Sequence, residues 1–402
     1  MSTHAKVAGR DAVAQRLDFL LSESTEAARE RERTAFDRLA SPFSERIVLF
    51  GAGGLGRATL TKLRSVGLQP LAFADNNPAL WGKTIGGVPV FATAKAAEQY
   101  GDNAAFVVTI WGAQANDRMS DRVRQLRELG CTHIAPSGFL FWKFPEVFLP
   151  YFPLDLPHKV LSATSDIEAA FDLFQDESSR REFVAQLSFR LLLDYDGLTC
   201  IRESKHYFPP DLVEIRDDEV LIDCGAFDGD SIEEFIQRKR EKFHHLIAFE
   251  PDPANWKRLQ DKLNTYPLVI QNKISTVPKA VGSRTETVSF SCEGTDQSRM
   301  GKGTSSIECV TLDEALRDFH PSLVKFDIEG AELDALAGAR GIISRSRPVL
   351  AVSAYHQQDH LWRIPLALAQ LCNHYSFFLR PHGSEGWDLA CYALPNERTI
   401  PH

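Results

Sequence analysis

The sequence lacks any stretch of about 18 apolar residues, so no membrane-spanning helix is expected. It has no long run of Lys or Arg. Its formal net charge is −9 and its pI is near 5.8, which argues against non-specific binding to nucleic acid or to a lipid surface. No apolar signal-peptide core follows the opening MSTHAKVAGR, and a cytoplasmic location is expected. Cysteine is sparse and scattered: Cys131, Cys200, Cys224, Cys292, Cys309, Cys372 and Cys391. The number is odd and no CxxC occurs, which excludes a disulfide framework and a zinc ribbon and points to reduced thiols. No short-period repeat is visible, so a solenoid is excluded.

What is present is an ordinary globular composition. Of 402 residues, 44% are hydrophobic and 25% are charged, too apolar for disorder over most of the length. At about 150 residues per domain, two or three domains are expected.

Four segments are expected. Residues 1–45 form an N-terminal helical segment with Leu17, Leu20 and Leu21 at helical spacing and a charged face beyond. A helix packed on its own domain and a dimer helix both fit, so a homo-oligomer stays open. Residues 46–137 alternate short apolar runs with helical patterns, the signature of a Rossmann-like α/β unit. Residues 138–204 form an aromatic and helical connector, in which Pro145, Pro150, Pro153 and Pro157 forbid a long helix. Residues 205–402 form a second α/β unit with strands in EVLIDC, HLIAFE, LVIQNKI, SLVKFDI, RPVLAVSAY, YSFFLRP and DLACYAL. The last two runs leave no room for a helix between them and should pair as an antiparallel hairpin. The segment TETVSFSC to SSIECVTL reads as an inserted β-ribbon.

The first α/β unit opens with Gly51-Ala-Gly53-Gly54-Leu-Gly56, a G-x-G-x-x-G turn directly after a strand. Glycines there let backbone N–H groups approach a phosphate at a helix N-terminus. Asp75 follows at the end of the next strand, where a carboxylate can accept from ribose hydroxyls. The stretch AFADNNPALWGKTIGGVPVF resembles the N-terminal nucleotide-sugar-binding domain of sugar acyltransferases in glycan pathways. That resemblance implies a nucleotide or nucleotide sugar held by Gly51, Gly53, Gly54, Gly56 and Asp75. A scaffold with a vestigial pocket is the other reading.

The second unit carries the sharper signal, Glu219-Val-Leu-Ile-Asp223-Cys-Gly225-Ala226-Phe-Asp228-Gly229-Asp230-Ser231. A phosphate loop would avoid so many carboxylates. S-adenosylmethionine, with an ammonium, a sulfonium and no phosphate, suits such a loop, and Gly225 and Gly229 permit close backbone approach. Glu250 ends the next strand at the carboxyl edge of the sheet, where open α/β sheets bind ligands, and its carboxylate suits a ribose diol. Asp252 and Ala280 complete the expected donor set. Asp327 ends the fourth strand at the same edge, followed by Glu329 and Glu332, which could simply cap a helix start.

Together EVLIDCGAFDGDS, IAFEPDP, KFDIEGAELDAL and RPVLAVSAYHQQDHLWRIP resemble the FkbM-type methyltransferase family over about residues 205–395. The resemblance implies a class I methyltransferase fold, a parallel sheet with a terminal antiparallel hairpin, and S-adenosylmethionine-dependent O-methylation of a sugar or polyketide hydroxyl. Many members carry an acid after the fifth strand. Ser353-Ala-Tyr355-His356 stands there instead and, with Asp359, Trp362 and Pro365, matches a Tyr-His subgroup. That leaves the general base open between His356, Asp327 and Glu329. An imidazole with a pKa near 6.5 suits proton abstraction, and a packed structural histidine suits the position equally. His356 and His360 are four apart, but no Glu of an HExxH motif and no third ligand accompanies them, so no metal is expected. Tyr207-Phe208-Pro209-Pro210 reads as a donor lid or as a rigid proline turn.

The function expected is an O-methyltransferase acting on a hydroxyl of a sugar, nucleotide sugar or glycan, with a small-molecule or glycan acceptor and no nucleic-acid partner. Two rival classes remain. One is a non-catalytic binding protein of a glycan-assembly complex with a degenerate methyltransferase fold. The other is an NAD-dependent oxidoreductase using the first glycine loop.

Overall fold

The computed structural model describes residues 11–113, 118–201, 207–291, 299–300, 303 and 305–400; Cys292 lies outside them. Two sheets organise the chain. In the first unit β1 (Ile47–Phe50), β2 (Ala72–Asp75), β3 (Thr84–Ile85), β4 (Val88–Ala92), β5 (Ala105–Val108) and β6 (Ile134–Pro136) lie in the order β3-β4-β2-β1-β5-β6. Only the short β3 runs antiparallel to its neighbour. β1 and β5 are buried at every position, as expected for apolar runs covered on both faces.

In the second unit β7 (Val220–Cys224), β8 (His245–Phe249) and β9 (Ile274–Val277) form one half of a seven-stranded sheet. A small ribbon sheet follows: β10 (Ala280–Val281), β11 (Glu286–Ser291), β12 (Arg299–Met300) and β13 (Ser305–Val310). The sheet resumes with β14 (Leu323–Phe326), β15 (Val349–Ser353), β16 (Tyr375–Pro381) and β17 (Leu389–Pro395), in the order β16-β17-β15-β14-β7-β8-β9. β17 inserts antiparallel between β15 and β16, and the other strands share one direction. The strand order reverses between β7 and β14, so their carboxyl ends flank a crevice.

The third strand begins later than the sequence pattern suggests. Residues Leu268–Gln271 form one helical turn after Pro267, and pairing with β8 starts at Ile274. Leu268 and Val269 are exposed, so their apolar character marks no strand.

The N-terminal helices Ala12–Leu21 and Thr25–Ala40 join the two cores. Leu17 and Leu20 pack with the C-terminal core, whereas Phe36 and Ala40 pack with the N-terminal one. Asp11 and Ser24 cap the two starts by accepting from Ala14 and Ala27 backbone N–H. The connector divides similarly. Phe141, Trp142 and Phe148 belong to the first core, and Ile167, Phe171 and Phe183 to the second. Each such buried side chain contributes about 1.5–3 kcal/mol, and the shared packing seats the two sheets against one another. Among the described residues no helix is long and apolar enough to cross a membrane, and the cysteines described are free thiols.

Candidate active site

Asp223, the last residue but one of β7, is fully buried beneath the sheet edge. Lys325, from the middle of β14, donates to Asp223 Oδ1 at 2.9 Å and to the Gly225 carbonyl at 2.9 Å. Burial opposes the ammonium charge, but Asp223, Asp327 and Asp230 outweigh it and hold its pKa above the ordinary value. Ser231 also donates to Asp223. The Asp223 carboxylate therefore fastens the loop from below and does not line the cleft.

The loop turns through Gly225 and Gly229, both at positive φ. A Cβ on Gly225 would meet the Asp327 carbonyl oxygen at 1.8 Å, so this position requires glycine. Glu250, at the end of β8, accepts from Phe227 N–H at 2.8 Å and from Asp252 N–H at 2.9 Å. Burial pushes its pKa up to about 7. Asp252 caps the helix Pro253–Leu263 through the Ala254 and Asn255 amides.

Above this edge lies a cavity of about 490 Å³, whose walls come from both domains. Gly225, Asp230, Glu250, Ala280, Asp327 and Glu329 line it. Ala226, Asp228, Gly229, Ser231 and Asp252 stand behind the lining: Ala226 is buried, Asp228 lies 3.6 Å from Lys262, and Gly229 begins the helix Asp230–Lys239. The roof is aromatic. Trp111, Tyr151 and Phe152 meet Tyr355 and Trp387, with Trp387 ring centroids 4.9 Å from Trp111 and 4.8 Å from Phe152.

Asp327 is held at both oxygens. Tyr207 hydroxyl donates to Oδ2 at 2.6 Å and Ser353 Oγ to Oδ1 at 2.7 Å. Tyr207 is thus a buried wall of the cleft, which joins the two readings of its segment: it covers the site and is fixed there. Behind Asp327, His356 Nδ1 lies 2.8 Å from Glu332 Oε1, both side chains buried. His356 Nε2 lies 3.4 Å from Asp327 Oδ1 and 3.5 Å from Glu329 Oε1. Burial opposes an imidazolium, yet Glu332 and Glu329 raise the His356 pKa well above its usual value. Burial likewise opposes the Glu332 charge, and His356 with His360 outweighs it, drawing that carboxyl down to about 2. Glu329 has φ +55, a left-handed conformation costing about 1 kcal/mol or more in a non-glycine residue, and burial raises its pKa. His360 Nδ1 lies 3.3 Å from Glu332 Oε2, so the two histidines read four apart in sequence converge on one carboxylate.

A second, open cavity of about 950 Å³ lies beyond Glu329 and His356. It runs between the connector (Phe152, Lys159), the ribbon (Arg284, Val288) and the residues after β15 (Gln357, Trp362). Phe152 and Glu329 belong to both cavities.

The first glycine loop is organised otherwise. Gly51 has φ +116 and a Cβ on Gly56 would meet the Gly51 carbonyl oxygen at 1.9 Å, so these two close the turn. Gly53 and Gly54 open into free space. Asp75 spends its oxygens locally, accepting from Ala52 N–H and Asn77 N–H at 2.7 Å each. Of this loop, Leu55 reaches the interdomain cavity.

Sequence reasoning gave no site role to Lys325. The signal was present, because a lysine inside the apolar run LVKF must be buried and therefore paired. Glu332, read as a cap, carries the His356 contact. Of the aromatic roof, the run holding Tyr151 and Phe152, which reads as a connector or as an acceptor lining, and Tyr355 stand out in the sequence; Trp111 and Trp387 carry no local signal.

Residues 223–383 match the family model described as the methyltransferase FkbM domain. A crystal structure of methyltransferase FkbM from Methylobacillus flagellatus superposes with a TM-score of 0.73 at 24% identity, covering 95% of this chain and 98% of that one. The likeness extends through both α/β units and shows the fold, with the C-terminal unit a class I methyltransferase fold. A precorrin-6y C5,15-methyltransferase from Geobacter metallireducens aligns over 44% of this chain and 80% of its own, with 14% identity and a TM-score of 0.28. No curated protein sequence matches the chain.

Proposed function

We propose that the protein is an S-adenosylmethionine-dependent O-methyltransferase acting on a hydroxyl of a sugar, nucleotide sugar or glycan. The observation that carries this reading is the acid-lined interdomain cavity at the carboxyl edge of β7 and β8. Its lining holds Asp230, Glu250, Asp327, Glu329 and Asp388 against Lys279 and Lys325, and Lys325 is already bound to Asp223. Such a lining repels phosphate and suits an ammonium, a sulfonium and ribose hydroxyls. The residues therefore fit S-adenosylmethionine better than a dinucleotide.

In this reading Glu250 receives the ribose diol, the Gly225 backbone admits the methionyl part, and Asp230 faces its ammonium. Bound there, the cofactor supplies an electrophilic methyl group on sulfur. The acceptor enters by the larger, polar cavity, whose mixture of Lys159, Arg284, Gln357 and Trp362 suits a hydroxyl-rich ring. Its hydroxyl is directed to the wall that the two cavities share. There Tyr207 and Ser353 fix Asp327, and Glu332 fixes His356. Glu332 and Glu329 favour the charged form of the imidazole, and Glu329 is the carboxylate common to both cavities, so Glu329 is the group placed to take the acceptor proton. Holding oxygen and methyl in line supplies most of the rate, and the base adds roughly 10²–10⁴-fold.

The test is a product screen by mass spectrometry with sugar nucleotides and glycan extracts in the presence of S-adenosylmethionine. A mass gain of one CH₂ per acceptor, dependent on the cofactor, is expected. Cofactor binding without any methylated product in such extracts would favour the binding-protein reading instead.

A further inference from the structure

Phe152 stands where neither packing nor backbone preference calls for a phenylalanine. It has φ +48, a left-handed conformation that a bulky side chain rarely adopts. The turn that carries it is closed by Tyr151 and Leu154, whose backbones exchange hydrogen bonds of 2.9 and 3.0 Å. Its ring belongs to none of the three hydrophobic cores. Instead it lines both cavities. In the proposed reaction that junction is where the methyl group crosses from donor to acceptor.

Trp387, from the turn between β16 and β17, packs against Phe152 with ring centroids 4.8 Å apart and planes at 61°. The T-shaped pair forms two walls of a box. Among the described residues no Lys or Arg stands over either ring. Two other rings of the donor cavity are already covered: Lys325 lies 4.8 Å from the Tyr207 centroid and Arg258 lies 5.4 Å from that of Phe227. Tyr355 meets the His356 imidazole at 4.2 Å. The cavity's lysines are engaged elsewhere, Lys325 with Asp223 and the Gly225 carbonyl, and Lys279 with Glu308 at 2.6 Å. Asp230, Asp327 and Asp388 line the same space. An aromatic face is the negative end of its quadrupole, and beside carboxylates it favours a cation that carries apolar groups.

We propose that Phe152 and Trp387 form two walls of an aromatic cage for the methyl-bearing sulfonium of the donor, and thereby set a preference for S-adenosylmethionine over S-adenosylhomocysteine. This rests on the proposed function. The rings hold the charged donor more tightly than the uncharged thioether left after transfer, which favours exchange of spent cofactor for fresh. A sugar ring stacked on the roof is the competing occupant. It fits less well, because Trp387 lines the donor cavity and not the open one.

The test is calorimetric titration of the full-length protein and of Phe152→Leu with both ligands at neutral pH. Leucine keeps an apolar contact and removes the π face. The wild-type protein should bind S-adenosylmethionine about 10-fold or more tightly than S-adenosylhomocysteine. In Phe152→Leu the first ligand should weaken by about 5-fold or more and the second by less than about 2-fold. Trp387→Leu should act in the same way, and Phe152→Leu decides where Trp387→Leu fails to fold, since Phe152 lies outside the cores. A wild-type ratio near one, or a ratio unchanged in Phe152→Leu, overturns the cage. Equal losses for both ligands also overturn it and assign the rings to the adenine or to packing. Absence of S-adenosylmethionine binding to the wild-type protein removes the donor assignment and the cage together, whereas binding without the selectivity removes the cage alone.

Discussion

The two glycine loops of this chain begin alike and end differently. Each follows a buried strand, each closes through a glycine whose Cβ would strike a backbone carbonyl, and each has an acid at the end of the next strand bonded to its amides. Glu250 is nonetheless buried, raised to a pKa of about 7, and faces a cavity. Asp75 is half-exposed, and the interdomain cavity receives Leu55 from its loop. The G-x-G-x-x-G pattern thus specifies a turn. Whether that turn holds a ligand depends on what other elements build above it.

Lys325→Met should have the largest effect on stability, because it leaves Asp223 charged and without its counter-ion in the core of the second unit, with Ser231 as its remaining donor. A loss of about 3–5 kcal/mol in urea denaturation is expected. Asp75→Asn, the acid beside the first loop, should change stability by less than about 1 kcal/mol. Equal losses would show that the two loops are fastened alike.

Glycine substitutions sharpen the contrast. Gly225→Ala and Gly56→Ala each press a Cβ into a carbonyl and should cost about 3 kcal/mol, measured by thermal unfolding. Gly225→Ala should also abolish cofactor binding, whereas Gly56→Ala should leave it intact at temperatures where the protein is folded. Gly53→Ala, with free space around it, should shift stability by less than about 0.5 kcal/mol. Loss of binding in Gly53→Ala would mean that the first loop also contacts a ligand.

A further prediction concerns the seam between the units. Glu385 accepts from Met119 N–H at 2.6 Å and its carbonyl accepts from Trp111 Nε1 at 3.0 Å. Burial raises its pKa to about 7 from 4.5. A raised carboxyl binds its proton more tightly in the folded state. Its contribution is present below about pH 4.5 and is lost as pH rises through about 7, by up to about 3 kcal/mol. Glu385→Gln should flatten stability across that window, and an unchanged pH profile would remove Glu385 from the seam's energetics.

The sheet of the second unit was legible because its strands are apolar runs that stop at an acid, as VLIDC, HLIAFE and LVKFDI do. The antiparallel hairpin followed from the short gap between YSFFLRP and DLACYAL. The start of the third strand was obscured because LVIQ is apolar yet forms an exposed helical turn after Pro267. At the site, Gly225, Asp230, Glu250 and Asp327 could be read from loop chemistry and strand ends. Tyr207 stood out as a lid or a proline turn, whereas Trp111 and Trp387 could not be read, because they meet only after two domains and the connector have packed. Glu332 illustrates the middle case. An acid in the first turn of a helix is ordinarily a cap, and only the fold brings His356 to it.

Binding of S-adenosylmethionine in the interdomain cavity through the second loop is open to direct measurement. Calorimetric titration of the full-length protein should give one site per chain. Glu250→Ala should weaken that site by about 1–3 kcal/mol, roughly 5–150-fold, because ribose hydroxyls lose a buried partner. Absence of binding to the wild-type protein, or an affinity untouched by Glu250→Ala, would contradict it.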